Sequence, residues 1–356
     1  MARTISHSVY CWGEAYEAGS KIVGGKGWNL GRLNRNGFRI PSGIVLATHA
    51  YQTFIKENQL QDFIRNISVK IDVSNIGERD SEDELAEVRN KIVAGLFPAH
   101  FEVALFESLE NLGILNKSLA VRSFASAEDS LVASFAGIHS SYLNVNGKEN
   151  IVEAVKNCYA SLWTPVAVSY RRKMNINDNE VLQAVVIMEM VKAEAAGVAF
   201  TCDPLTGRTD TIVINANYGL GEAVVSGLVE PDEYKLTFET SLPKVVGKKI
   251  GLKQGQSVLD LDQGVKFIPL TEDIKSSQAL CDKDILRLGL LVQRVFEALG
   301  DGEQHQDIEW VFNGQEFMIT LSSSSLFFRT SPSSSVMLLY SHYTPLNQCC
   351  YSPETG

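Results

Sequence analysis

Two well-separated stretches carry the side chains that could do chemistry. Lys26 stands in Gly24-Gly25-Lys26-Gly27-Trp28-Asn29-Leu30, a glycine-rich turn that runs straight into a helical pattern. Glycines let the backbone come close to a ligand, and N–H groups at a helix N-terminus favour an anion. Arg122 ends an apolar run and leads into the small-residue stretch Ser123-Phe124-Ala125-Ser126-Ala127-Glu128-Asp129, with Gly137 on its far side. Two separated cations, each beside a glycine-bearing loop, are what a polyphosphate clamp requires. Neither stretch has P-loop spacing. Each alone also fits a bland role, Lys26 as an exposed turn lysine and Arg122 as a surface ion-pair partner of Glu128 or Asp129.

The elements that would position them alternate along the chain. Residues 28–36 form a short helix stopped by Gly37, and residues 43–48 a strand. Ser81 and Glu84 make a capping box for a helix to about Leu96. Pro98 opens the next, with Val103, Phe106, Leu109 and Leu112 at helical spacing and Gly113 as its stop. Leu119 to Arg122 is strand-like, and Thr164-Pro165 restarts a helix through Met174. From Leu182 strands take over. Residues 184–190 are nearly continuous in Val, Ile and Met, which predicts a strand buried on both faces. An amphipathic helix over 284–299 and a hairpin around Asn313-Gly314 follow. The expected division is a helix-rich lobe over 1–185, a sheet-rich lobe over 186–320, and a serine-rich tail over 321–356.

Composition bounds the class. The chain has 356 residues, enough for about two domains. Its net charge of -10 argues against a general nucleic-acid or anionic-membrane binder, but permits a local basic pocket. No stretch approaches the roughly 18 apolar residues of a spanning helix, and no secretory signal is evident. Six cysteines lie scattered with no CxxC or Cys/His pattern, so reduced thiols in a cytoplasmic protein are expected. The histidines do not cluster either.

Taken in order, the motifs resemble the ATP-binding domain of phosphoenolpyruvate synthase, pyruvate phosphate dikinase and rifampicin phosphotransferase. The residues that carry the resemblance are Gly24 to Leu30 with Ile40-Pro41-Ser42-Gly43, then Val121 to Asp129 with Ser134-Phe135-Ala136-Gly137. Phe200-Thr201-Cys202-Asp203-Pro204-Leu205-Thr206-Gly207, Tyr218-Gly219-Leu220-Gly221-Glu222, Pro231-Asp232-Glu233-Tyr234 and Asp307-Ile308-Glu309-Trp310 complete the set. The likeness covers about residues 10–320. It implies an α+β (α/β) ATP-grasp fold, with nucleotide between two lobes, and the cofactors ATP and Mg2+. Lys26 and Arg122 would contact phosphates as the catalytic pair, with Gly137 in the phosphate loop. Met188 and Glu189 would lie near the adenine, where the family often has glutamine or lysine. Glu309 would hold the magnesium, and Asp307 is either a second metal ligand or a solvated strand residue. Asp203 and Glu222 stand in turn-rich loops where acidic residues are common.

One part of the pattern departs. Relatives follow the hairpin with Gln-x-Arg-Pro, and those positions fall here on Leu321, Ser322, Ser323 and Ser324. A three-residue hairpin loop, pairing Phe312 with Glu316, would set positions 321 and 323 on the face of Asp307 and Glu309; a two-residue turn would set them opposite. The serine-rich run beginning there suggests an altered C-terminus, and none of the histidines lies in a phosphocarrier motif. The expected activity is therefore a dikinase-type phosphotransferase domain that passes phosphate from Mg-ATP to a histidine on a separate carrier domain, weak alone. A non-catalytic ATP-binding module and an acyl-phosphate ligase of the same fold are the alternatives. No nucleic acid or membrane partner is expected.

Overall fold

The apolar run at 184–190 becomes a central strand. In the computed structural model, which describes residues 8–125, 140–178, 181–238, 242–261 and 263–324, this strand spans Gln183–Glu189, and all but its last residue are buried. Gly137 and the 325–356 part of the expected tail lie outside the described residues. The chain divides into two compact units. The first runs to Val191 and takes in Leu259–Val265 and Met318–Ser323; the second comprises Lys192–Val258 and Lys266–Phe317. The break falls after the central strand because that strand pairs on both edges within the first unit's sheet.

In the first unit, β1 (Val9–Cys11), β2 (Gly43–Leu46), β3 (Leu119–Ala125), β4 (Ser141–Val145) and β5 (Gln183–Glu189) form an antiparallel sheet of order β1-β2-β5-β3-β4. Its helices are α1 (Trp12–Ala18), α2 (Ser20–Arg35), α3 (Thr48–Glu57), α4 (Gln61–Lys70), α5 (Arg79–Ala94), α6 (Ala99–Asn111), α7 (Lys148–Ser161) and α8 (Pro165–Lys173). One face of the sheet, with Ile44, Leu46, Leu119, Val121, Val185 and Ile187, joins Phe54, Leu85, Phe101, Leu105, Val155 and Tyr159 in one apolar core. Alternation then commits the neighbouring residues to the other face.

Helix boundaries moved where burial outweighed local signals. The capping residue of α5 is Glu78 rather than Ser81, which is buried inside the helix. In α6, Phe106 and Leu109 are buried as expected, but Phe101 and Leu105 complete the inward face, while Val103 is 56% and Leu112 39% exposed. Thr164 caps α8 as expected, its Oγ1 accepting from Ala167 N at 3.3 Å. Arg171 is buried against Asp178, with Nε–Oδ1 2.6 Å, and donates to Leu162 O at 2.7 Å. Arg172 binds the same carboxylate at 2.6 Å, pinning the end of α8.

The remaining elements are β6 (Ala195–Phe200), β7 (Thr211–Tyr218), α9 (Glu222–Val225), β8 (Asp232–Phe238), β9 (Pro243–Lys249), β10 (Gly255–Leu259), β11 (Val265–Pro269), α10 (Glu272–Ser276), α11 (Asp282–Gly300), β12 (Gln306–Phe312) and β13 (Phe317–Ser324). The sheet order is β13-β12-β6-β7-β8-β9, and β10-β11 is a separate ribbon. Helix α11 buries Ile285, Leu288, Val292, Val295 and Leu299 and ends at Asp301, whose φ of 51° is left-handed. The hairpin closes as a two-residue turn. Asn313 N donates to Glu316 O at 3.3 Å, and Asn313 Oδ1 accepts from Gln315 N and Glu316 N. Phe317 therefore stacks on Phe312 at 4.6 Å and meets Trp310 edge-on at 5.7 Å. This overturns the three-residue loop, since Phe312 faces Phe317 and not Glu316; the register that would bring position 321 to the Asp307 face is not the one the turn sets.

Candidate functional site

Backbone register decides which side chains meet. Across β3 and β5, Arg122 stands opposite Val186, Phe124 opposite Ala184, and Met188 opposite Ala120. Their strand neighbours Val121, Val185 and Ile187 belong to the apolar core. Arg122, Phe124, Ala184, Val186 and Met188 thus share the other face of the sheet.

Helix α2 packs on that face, and its glycines explain how. Gly24 has φ +69°, which breaks the helix so that it restarts with Lys26 in the first turn. A Cβ on Gly24 would lie 3.3 Å from Ala184 Cβ and 3.8 Å from Phe124 Cβ, so the backbone comes close to β3 and β5 only because the residue is glycine. Gly27 similarly leaves room for Val45, whose Cγ2 would be 3.0 Å from an added Cβ. The result places Lys26 Nζ 4.5 Å from the centroid of the Phe124 ring. Lys26 and Arg122, far apart in sequence, are thereby brought to the same sheet face. The residue under Lys26, Phe124, was not singled out by sequence reasoning because an aromatic after a strand arginine reads as core.

Met188 is buried, at 2% exposure, on this same face. Glu189 is the next residue and takes the opposite direction. Its carboxylate pairs with Lys117 and accepts from Ser42 N at 3.2 Å. Burial opposes ionisation there, but the Lys117 ammonium and the Ser42 N–H hold the carboxyl below its ordinary value. Glu189 closes the end of the sheet, where Glu189 N also donates to Ser42 O. In the same Ile40-Pro41-Ser42-Gly43 motif, Pro41 O accepts from Trp12 Nε1 at 2.9 Å, and a Cβ on Gly43 would fall 2.6 Å from Trp12 Cζ2.

In the second unit, Asp307 stands opposite Phe200 and Glu309 opposite Val198. The same row continues through Val213 and Asn215 to Lys235 and Glu233. These residues form one sheet face. Asp307 and Glu309 are two positions apart on a strand and both partly exposed, so their carboxylates can serve one cation together. Among the described residues, no group of three or more His, Cys, Asp or Glu is arranged to hold a metal ion. Magnesium commonly takes only one or two carboxylates and completes its shell with phosphates and water, which this pair suits.

Asp203 belongs to the framework of this face. Its Oδ1 accepts from Leu205 N at 2.9 Å and Thr206 N at 3.2 Å, and its Oδ2 receives Lys235 Nζ at 2.9 Å. Burial would raise the carboxyl, but Lys235 and the two N–H groups hold it below the ordinary range. The adjacent Cys202 thiol is pushed up to about 12, first by burial and then by the Asp203 and Asp307 carboxylates. In the Tyr218-Gly219-Leu220-Gly221-Glu222 stretch, Leu220 N donates to Ser257 O at 2.8 Å, and Gly221 packs over Ala196. Sequence reasoning did not single out Lys235; nothing local marks a strand lysine as the partner of a distant aspartate.

Comparison with known proteins agrees with these motifs. The family model described as the pyruvate phosphate dikinase AMP/ATP-binding domain matches residues 20–321. A probable phosphoenolpyruvate synthase of Methanocaldococcus jannaschii is 35% identical over 303 residues, covering 83% of this chain and 25% of that protein. The phosphoenolpyruvate synthase of Aquifex aeolicus is 38% identical over 311 residues, covering 82% and 36%. A rifampicin phosphotransferase of Bacillus cereus is 37% identical over 295 residues, covering 81% and 32%. The chain therefore spans between 25% and 36% of the length of these relatives. No single helix among the described residues is long and apolar enough to cross a membrane.

Proposed function

The chain belongs to the pyruvate phosphate dikinase AMP/ATP-binding domain family, and we propose that it binds Mg-ATP and presents its terminal phosphates for transfer. The observation that carries this reading is the shared sheet face of Lys26 and Arg122 in the first unit. Arg122 offers a planar fork of N–H donors and Lys26 a compact point charge, a combination suited to adjacent phosphate oxygens. Met188 would supply an apolar contact for the base, leaving its polar edge to backbone groups.

Asp307 and Glu309 would hold the magnesium, whose contribution when bound is to neutralise phosphate charge. The chain's own work is positioning. Phosphoryl transfer depends mostly on placing the phosphates and stabilising their oxygens, and the cations of the first unit do this without taking or giving a proton. Some of the relatives are named rifampicin phosphotransferases, which supports transfer to an acceptor. We place the acceptor on a carrier histidine outside this chain, and we read the two units as an ATP-grasp fold on the strength of the family motifs.

Isothermal titration with Mg-ATP tests the assignment. Lys26→Ala and Arg122→Ala should each weaken binding about tenfold or more, the loss expected from one charge-assisted hydrogen bond of about 1.5–3 kcal/mol. Folded variants that bind like the parent chain would remove the basis of the proposal.

A further inference from the structure

We propose that Asn29 is a positioning residue for Lys26, and that it works by gripping the backbone of a segment from the far end of the chain. The inference rests on Lys26 being a phosphate ligand, as proposed above, and adds what sets the direction of that ligand. Asn29 Nδ2 donates to Ser322 O at 3.0 Å, across 293 positions of sequence. Met318–Ser323 belongs to the first unit, and within it Ile319 and Ser322 are fully buried and Leu321 nearly so. The carbonyl that Asn29 holds thus sits on a packed backbone.

The break in α2 gives this grip its purpose. Gly24 interrupts the helix, so the turn that carries Lys26 does not inherit its rotation from the residues before it. That rotation has to come from contacts of the resumed helix. Asn29 follows Lys26 by three residues, so the two share one helix face, and a helical side chain leans back over the turn that precedes it. Holding the Asn29 amide therefore holds the turn from which Lys26 projects. A second bond acts beyond the other end of the helix, where Ile319 N donates to Arg39 O at 3.0 Å. Residues 319–322 so fix both the Lys26 turn and the loop that leaves α2.

The chemistry of the bond suits the role. A backbone carbonyl only accepts, so it meets the Nδ2 end of the amide and fixes which way the amide faces. An aspartate at position 29 would repel that carbonyl and would stand at ion-pair spacing from Lys26. Asparagine anchors the helix without adding charge beside the phosphate ligand. Asn36 provides a contrast on the same helix. Its Nδ2 donates to Arg32 O at 2.9 Å, a local and exposed bond that ties the helix end to itself and sets no rotation.

The test uses the full chain and Mg-ATP, with Asn29→Leu, Asn36→Leu, Lys26→Met and the double variant Lys26→Met with Asn29→Leu. Leucine keeps roughly the shape of asparagine and removes the donor. Asn29→Leu should weaken binding roughly three- to tenfold, the scale of one hydrogen bond, while Asn36→Leu should stay within about twofold of the parent. In the Lys26→Met background, Asn29→Leu should make no further difference. An equal loss in that background, or an equal loss in Asn36→Leu, would mean that Asn29 merely supports the fold and would overturn the proposal. If Lys26→Met weakens binding while Asn29→Leu does not, the positioning role fails and the phosphate role stands. If Lys26→Met binds like the parent, the phosphate reading itself fails. A second measurement needs no variant: by NMR, the Asn29 side-chain amide protons should exchange with solvent markedly more slowly than those of Asn36. Equal exchange would show that the Ser322 carbonyl is not gripped, and would overturn the proposal even if Asn29→Leu cannot be folded.

Discussion

Lys253 and Asp232 form an ion pair with both side chains fully buried. Asp232 Oδ1 also accepts from Gly251 N at 3.0 Å, and Oδ2 accepts from Tyr234 Oη at 3.0 Å and Ala279 N at 2.7 Å. The carboxylate thus ties the start of β8 to the 251–253 loop and to residue 279. Burying two charges is costly, and such a pair persists only where further hydrogen bonds satisfy the remaining lone pairs.

The two partners should respond unequally to mutation. Asp232→Ala leaves a buried ammonium whose other contact is Gly251 O at 3.2 Å, and should cost about 3–5 kcal/mol. Lys253→Met leaves the carboxylate with its Tyr234, Gly251 and Ala279 donors, and should cost less. The double change Asp232→Leu with Lys253→Met should also cost less than Asp232→Ala alone. Urea denaturation measures all three; equal losses for the two single variants would show that hydrogen bonding does not hold this carboxylate.

Acid should destabilise the chain through Asp203. Its folded-state carboxyl lies below the ordinary value, so the group binds its proton more weakly folded than unfolded. The stability it contributes is fully present above the unfolded value near pH 4 and is lost as pH falls through the depressed folded value. Asp178, held down against burial by Arg172 and Arg171, acts in the same direction. Lys235→Met should raise the Asp203 carboxyl and flatten this acid limb. NMR titration of the Asp203 side chain gives the direct readout, and an unchanged titration in Lys235→Met would refute the linkage.

Gly24 and Gly37 separate strain from site geometry. Both have φ near +70°, where an alanine costs about 1–2 kcal/mol. A Cβ at Gly37 meets nothing within 4 Å, whereas one at Gly24 crowds Ala184 Cβ at 3.3 Å. Both alanine variants should lose stability, but only Gly24→Ala should weaken Mg-ATP binding. Comparable binding losses in both would mean that affinity tracks global stability.

Much of this arrangement was legible, and what was not depended on partners distant in the chain. The apolar run of β5, the glycine stops at Gly37 and Gly113, and the Thr164 cap are local signals that local physics decides. The loop length around Asn313-Gly314 was not legible, because that dipeptide fits both a two- and a three-residue connection; the Phe312–Phe317 stack resolves it. Nothing local in the sequence marks Lys253, in a glycine-bearing loop, as the buried partner of Asp232. Lys26 and Arg122 were legible as cations. Their common face was not, since it follows from β3–β5 register and from the approach of α2.

The carboxylates of β12 give the last prediction. Asp307 and Glu309 share a face with Phe200 and Val198, and Asp307 also lies close enough to Cys202 to raise its thiol. If the pair holds the magnesium that accompanies ATP, Glu309→Gln should raise the Mg2+ concentration needed for tight ATP binding about tenfold or more, the scale of one charge-assisted ligand contact. Binding of ATP in EDTA, which reports Lys26 and Arg122, should change little. Asp307→Asn should act in the same sense if both residues are ligands, and should leave the Mg2+ dependence unaltered if Asp307 serves only the strand. Titrating ATP binding against Mg2+ in the three proteins distinguishes these cases. A Glu309→Gln chain with the parent's Mg2+ dependence would place the metal elsewhere. A variant equally weakened with and without Mg2+ would make Glu309 part of the framework of the sheet instead of a ligand.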